Sequence, residues 1–309
     1  MLTYAFLGSP SFARAILEQL ISSYQAPALV VTQAPKEVGR GQQVRSTAVG
    51  ECARARNLPV IETEDVNSAE SVARITATKP DVLVVVAFGQ RLKADLLKAP
   101  CLFPLNLHGS LLPAYRGAAP MQWAIWNGET TTGVSVQRMV KKMDAGDILL
   151  QKTIPIEDED TAGTLLQKMV PVGGSLLVDS LRLLEREGEK VCLMPQDETR
   201  VTFAPKLDKS HGRIDWRRSA LEVRNQIRAT LPWPACEIAW DSFTMKVLEA
   251  RVERGEGKAG TLVTDGKTFL HVQCGNGRLA LTQIQPANKK PVSVEEFLRG
   301  FRGNLPASL

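Results

Sequence analysis

Histidine is scarce in this chain, and the cysteines are unpaired in pattern. The three histidines, His108, His211 and His271, are spread over 163 positions, which excludes the clustered spacing of a metal site, so no metal is expected. Cys52, Cys101, Cys192, Cys236 and Cys274 are odd in number and never spaced C-x-x-C, as expected of reduced thiols in a cytoplasmic protein. No apolar run approaches the about 18 residues that would span a bilayer. The opening "LTYAFLG" is a strand pattern, not a charged segment followed by an apolar one, so no secretory signal is expected. There is no G-x-S-x-G elbow, which argues against a covalent acyl-enzyme. The first turn, "FLGSPSFA", has only Gly8 where a G-x-G-x-x-G fingerprint needs three glycines, which argues against a dinucleotide site.

Hydrophobic residues make up 44% of the 309 and charged residues 23%, enough for a soluble protein with a sizeable core and two ordinary domains. The net charge of +5 is uneven. Residues 206–309 hold 17 Lys and Arg against 11 Asp and Glu, a balance of +6, which leaves −1 for residues 1–205. A basic second part suits a phosphate-bearing partner, although small domains also carry such charge for solubility.

The first half alternates strand and helix. "YAFLG", "ALVVTQ", "PVIE", "DVLVVVAFG", "FPLNLH", "GVSVQRMV" and "DILLQKTIPI" read as strands, and "SFARAILEQLISSY", "TAVGECARARNL" and "SAESVARITATK" as helices between them. This pattern predicts a Rossmann-like, doubly wound parallel sheet, whose ligands bind beyond the carboxyl ends of the strands. "TAGTLLQKMVPVGGSLLVDSLRLLEREGE" reads as a long helix with Asp160 as its N-cap, kinked or split at Pro171 and Gly173-Gly174. Periodicity fades near residue 190. Short alternating runs broken by glycine follow, as in a small OB-like β-barrel. The expected division is a catalytic domain over 1–188, a linker over 189–205 and a small barrel domain over 206–309.

Chemistry concentrates in "PLNLHGSLLPAYRGAAP" and "KKMDAGDIL". Asn106 and His108 are two apart, so a strand puts both on one face. An amide donor beside an imidazole can hold a developing oxyanion and move a proton. Asp144 or Asp147 could face the same cleft. An Asp beside His108 would orient the ring and favour its charged form. A lone His at a strand end is also a common structural residue. The case for a site is that these polar groups fall where the fold places one.

These segments resemble the folate-dependent formyltransferases, and the resemblance runs from "FLGSPSFA" through "VVVAFGQRL" to "GRIDW" and "NQIRATLPWPA". It implies Asn106, His108 and Asp144 as a catalytic trio. It implies Ser110, Leu111, Leu112 and Pro113, with Phe88, Gln90, Leu92 and Val140, as the folate-binding residues. The formyl donor implied is 10-formyltetrahydrofolate. With the tight turn beside the site, the resemblance also implies a cis Leu112–Pro113 bond.

The implied acceptor is the amino group of initiator methionyl-tRNA, with a sugar nucleotide or another small amine as the alternative. A non-catalytic RNA-binding module is a further one. For tRNA stand the basic second domain, the absence of an attached dehydrogenase or decarboxylase domain, and the Gly-Arg-Gly of "APKEVGRGQQVRSTAV". In that loop Arg40 would be the main contact, with Lys36, Arg45 and, beyond it, Lys206 as phosphate partners. The loop also fits an ordinary solvated basic loop. A monomer without membrane contact is expected. Ala114, Lys141, Lys142 and Ala235-Cys236 depart from the family's usual residues.

Overall fold

The computed structural model describes residues 1–38, 43–241 and 243–309. They group into two compact units. One comprises Met1–Gly117, Thr132–Ile154 and Leu166–Phe203; the other comprises Ala118–Thr131, Pro155–Leu165 and Ala204–Leu309.

The chain opens β1 (Tyr4–Gly8), α1 (Ser11–Ser23), β2 (Leu29–Gln33) and a hairpin of β3 (Lys36–Val38) and β4 (Gln43–Arg45). Then come α2 (Ala48–Ala55), β5 (Val60–Thr63), α3 (Ala69–Ala77), β6 (Val82–Val86), α4 (Ala94–Leu97), β7 (Phe103–His108) and the short β8 (Arg116–Gly117). After α5 (Pro120–Trp126) follow β9 (Thr131–Arg138), β10 (Ile148–Pro155) and α6 (Ala162–Glu187).

Seven of these strands form one sheet in the order β10-β9-β7-β6-β1-β2-β5. The pairs from β5 to β7 are parallel. Every residue of β1 and β6 is buried, as the unbroken apolar runs require of strands covered on both faces. Burying a Val or Leu side chain fully contributes about 1.5–3 kcal/mol. The strand order reverses between β1 and β6, so the crevice where such sheets bind ligands opens at the carboxyl ends of those two strands, with β7 beside β6. The expected parallel order stops at β7. β9 runs antiparallel to it, with Asn106 opposite Gln137 and His108 opposite Ser135.

α6 is neither split at Pro171 nor broken at the glycines. The glycines serve close approach instead. A Cβ on Gly173 would lie 2.9 Å from Leu107 Cδ2 on β7, and one on Gly174 would meet the Gln19 side chain of α1. Gln19 Nε2 also donates to Pro171 O at 3.2 Å. Asp160 is one residue too early to cap the helix. The hydroxyl of Thr161 accepts from Thr164 N–H at 3.2 Å, while Asp160 takes the Glu157 N–H at 2.8 Å and the Thr164 hydroxyl at 3.0 Å.

β11 (Phe203–Ala204) falls where the chain passes from the first unit to the second; in the second unit, α7 (Ala220–Thr230) precedes β12 (Cys236–Trp240), β13 (Phe243–Glu253), β14 (Leu262–Thr264), β15 (Leu270–Gln273), β16 (Arg278–Pro286), β17 (Val292–Ser293) and α8 (Val294–Gly300). The barrel-like sheet expected from the sequence is a curled antiparallel half-barrel, β12-β13-β16-β15-β14 with β17 on β16. Register shifts between Val247 and Ala250 mark a bulge in β13, the usual device for bending a strand. Val223, Ile227, Ile238, Val247, Leu270 and Leu281 fill its core. Among the described residues no helix is long and apolar enough to cross a membrane.

The packing of α6 on β7 yields a stability prediction. Gly173→Ala should cost about 1–3 kcal/mol, the range for overfilling a packed contact. Gly300→Ala, where nothing lies within 4 Å of the added methyl, should change stability by less than about 0.5 kcal/mol. Urea unfolding of both variants tests this; equal midpoints would mean that α6 does not need its close approach.

Candidate active site at the carboxyl edge of the sheet

Residues directly opposite in an antiparallel pair point to the same side of the sheet. The β7–β9 register therefore puts Asn106, His108, Ser135 and Gln137 on one face. His108 is 5% exposed. Its Nε2 lies 2.9 Å from Tyr115 O. A carbonyl oxygen only accepts, so Nε2 carries a proton and donates it there. The other ring nitrogen, Nδ1, faces Asp144 Oδ1 at 3.7 Å. Asn106 is half-buried, and its amide bonds no protein group among the described residues, so it can donate to a ligand.

Asp144 is the aspartate that reaches His108; Asp147 contributes its carbonyl, which accepts from Arg138 N–H at 2.9 Å. The Asp144 backbone is in the left-handed region, φ 50°, uncommon outside glycine and tolerated by Asp. Its carboxylate is held from two sides: Gln137 Nε2 donates to Oδ1 at 3.0 Å and Gly117 N–H to Oδ2 at 2.9 Å. Gly146 explains the glycine of "DAGD". A Cβ there would lie 1.7 Å from Arg138 O, so only glycine lets this loop close on the end of β9.

The Leu112–Pro113 bond is cis, as expected. Ser110 is buried and donates from Oγ to Ala114 O at 2.6 Å. Ser135 Oγ donates to Ser110 O at 2.6 Å and accepts from Leu112 N–H at 3.1 Å. Gln151 Nε2 reaches Leu112 O at 2.9 Å. Leu111, Leu112 and Pro113 line a cavity of about 280 Å³ with Ala114, Gln151, Thr153 and Arg200. Phe88, Gln90, Leu92 and Val140 do not line it. Phe88 and Leu92 are buried in the core beside Leu7 and Val85. Gln90 accepts from Val66 N–H at 2.8 Å and donates to Thr63 O at 3.1 Å. Val140 is 41% exposed on the loop that leads to Asp144.

Several site residues had no place in the sequence reading. Gln137 and Ser135 could have been found, because they repeat on β9 the two-residue spacing of Asn106 and His108. Gln196 could not: it lies in the aperiodic stretch read as a linker. Its Nε2 donates to Asp144 O at 2.9 Å and Gly146 O at 2.7 Å. Its Oε1 accepts two bonds from Arg116, at 3.0 and 2.8 Å. Arg116 is 2% exposed and pairs with Glu198 at 2.8 Å, which pairs in turn with Lys142 at 2.9 Å. Hydrogen bonds from Arg116 first, and from Lys142, lower the Glu198 carboxyl to about 2. A lowered folded-state pKa means that this anchor is fully charged above the ordinary carboxylate range and is lost only as pH falls toward 2.

The residues expected to meet RNA are partly visible. Lys36 and Arg45 are exposed partners across the β3–β4 hairpin, and Lys36 Nζ donates to Gln33 Oε1 at 2.9 Å. Lys206 is exposed in the second unit. Arg40 lies outside the described residues.

The open α/β sheet gathers an amide, an imidazole and a carboxylate at its carboxyl edge, a candidate active site, and sequence comparison identifies the family. Residues 2–181 match the formyl transferase family and residues 206–302 match its C-terminal domain. The chain belongs to the formyl transferase family. Among its curated relatives, the methionyl-tRNA formyltransferase of Lactobacillus gasseri is 39% identical over 303 residues, covering 97% of this chain and 96% of the relative. That of Enterococcus faecalis is 37% identical over 309 residues, covering 99% and 98%. In structure, the chain is similar to a Helicobacter canadensis N-formyltransferase solved with folinic acid and dTDP-3-aminofucose, with a TM-score of 0.68 and 17% identity over 93% of this chain and all of that one. The phosphoribosylglycinamide formyltransferase of Bacillus halodurans superposes with a TM-score of 0.52 at 26% identity, covering 61% of this chain and 98% of that one.

The Asp144 loop supplies a prediction. Gly146→Ala forces the loop off Arg138 O, and displacement of a reacting group by about 1 Å can cost roughly a hundredfold in rate. Turnover should fall at least tenfold with the protein still folded by circular dichroism. Unchanged turnover would mean that the loop does not need its present position.

Proposed function

We propose that this chain transfers the formyl group of 10-formyltetrahydrofolate to the amino group of methionine on initiator methionyl-tRNA, in the cytoplasm, for translation initiation. The observation that carries this reading is the similarity to methionyl-tRNA formyltransferases across both units, at 37–39% identity over nearly the whole chain. The catalytic half alone would fit other acceptors. The folate supplies an activated formyl carbon and a nitrogen leaving group.

When the amine attacks that carbon, a C–N bond forms and the carbonyl pair moves to oxygen. Asn106, whose side-chain amide bonds no protein group among the described residues, is suited to donate to this oxygen. One well-placed donor to an oxyanion is worth about 3–4 kcal/mol. With Nε2–H committed to Tyr115 O, His108 can donate to the same oxygen only from Nδ1. The ring must then hold both protons, with Asp144 as its countercharge. Asp144 takes the proton that the amine loses, directly or through water. As the carbonyl re-forms, the bond to the folate nitrogen breaks and that nitrogen takes up a proton. Formylmethionyl-tRNA and tetrahydrofolate result.

His108→Ala should lower turnover tenfold to a thousandfold, about the span of acid–base groups, while tetrahydrofolate still binds. The measurement is transfer of radiolabelled formyl to charged initiator tRNA; wild-type turnover would remove His108 from the mechanism. For the acceptor, Arg40→Ala and Lys206→Ala in the full chain should weaken tRNA binding and flatten its salt dependence. The log–log slope should fall by about one unit per lost phosphate contact. Wild-type affinity and slope in both variants would separate these residues from RNA.

A further inference from the structure

The segment after α6 makes more polar contacts with the site than its aperiodic sequence suggests. Met194 pairs with Ile148 through two backbone bonds, 2.8 and 2.9 Å. Gln196 holds the carbonyls of Asp144 and Gly146. Asp197 caps the turn that follows, with Oδ1 accepting from Thr199 N–H at 2.9 Å. Glu198 binds Arg116 and Lys142. Thr202 Oγ1 accepts from Tyr115 N–H at 2.8 Å, and Thr202 O accepts from Arg116 N–H at 2.9 Å. Tyr115 O and the Asp144 carboxylate both lie beside the His108 ring. One strap fixes the residues that carry both.

We propose that residues 194–202 are the positioning element of the transfer reaction, with Gln196 setting Asp144 and Thr202 setting Tyr115 on either side of His108. This rests on the reading above that His108 and Asp144 perform the transfer. Gln196 is the stronger arm, because its carboxamide is used at both ends. The nitrogen fixes the loop, and the oxygen is anchored by a buried guanidinium that Glu198 also holds. Lys142, a departure from the family's usual residue, closes the strap from the loop side. In this role Gln196 and Thr202 act through Asp144 and Tyr115.

The test uses the full chain with 10-formyltetrahydrofolate and charged initiator tRNA. Gln196→Met keeps the length of the side chain and removes every hydrogen bond. It should lower kcat by roughly ten- to hundredfold, the scale set by a misplaced reacting group, with both KM values within about twofold, as when a contribution is made in the transition state alone. Combined with Asp144→Asn, it should lose little beyond Asp144→Asn alone, because residues that act through one group are not additive. Losses that multiply, or wild-type kcat in Gln196→Met, would overturn the proposal. If Gln196→Met does not fold, Thr202→Val takes its place. That variant keeps the carbonyl but loses the acceptor for Tyr115 N–H. Its kcat should fall at least threefold, with little further loss when it is combined with His108→Ala. Wild-type kcat, or multiplying losses, would count against the strap. Full activity of Asp144→Asn and His108→Ala by themselves would instead reject the trio, a different failure.

Discussion

A single hydrogen bond constrains the chemistry at this site. Because Tyr115 offers a carbonyl to His108 Nε2, that nitrogen must carry hydrogen. The nitrogen left without that partner is Nδ1, on the side of Asp144, and it is the one that the proposed transfer would use. The orientation of the ring, the identity of its reactive atom and the side from which a carboxylate can reach it all follow from that contact. Everything that fixes Tyr115 and Asp144 therefore bears on what His108 can do.

The sheet supplies the coarse placement. Parallel β6 and β7 end side by side, which brings Asn106 and His108 next to the crevice at the carboxyl ends of β1 and β6, where the strand order reverses. Antiparallel β9 then returns along β7 and lays Gln137 beside Asn106. A wholly parallel sheet would have needed another crossover there and would not have offered Gln137 to the Asp144 carboxylate. Glycine sets the tolerances. Gly146 lets the Asp144 loop close on Arg138, and Gly173 lets α6 press against β7.

What the sequence disclosed follows from the range of each interaction. Unbroken apolar runs and period-two polar pairs are local, so the strands, the Asn106–His108 pair and the basic second part were legible. The cis bond at Leu112 and the choice of Asp144 as the neighbour of His108 came through family resemblance; short-range spacing left Asp144 and Asp147 as equals. Pro171 and its neighbouring glycines read as a break because their purpose is contact with α1 and β7, far away in the chain. Gln196 was invisible for the same reason. Its partners lie 50 to 80 residues earlier, and a polar contact over that separation leaves no periodic trace.

The order of these pieces along the chain has a consequence for how the protein is made. His108 and Asp144 leave the ribosome well before Thr202, and some 50 residues, α6 among them, separate Asp144 from Gln196. A nascent chain that has reached the end of the first family match at residue 181 carries Asn106, His108 and Asp144 but none of the groups that hold Asp144 and Tyr115 from residues 194–202. Synthesis thus delivers the side chains around His108 first and the segment that holds two of its neighbours last. The shortest N-terminal fragment that contains the whole arrangement ends at residue 202, past the helix where a domain boundary would ordinarily be drawn.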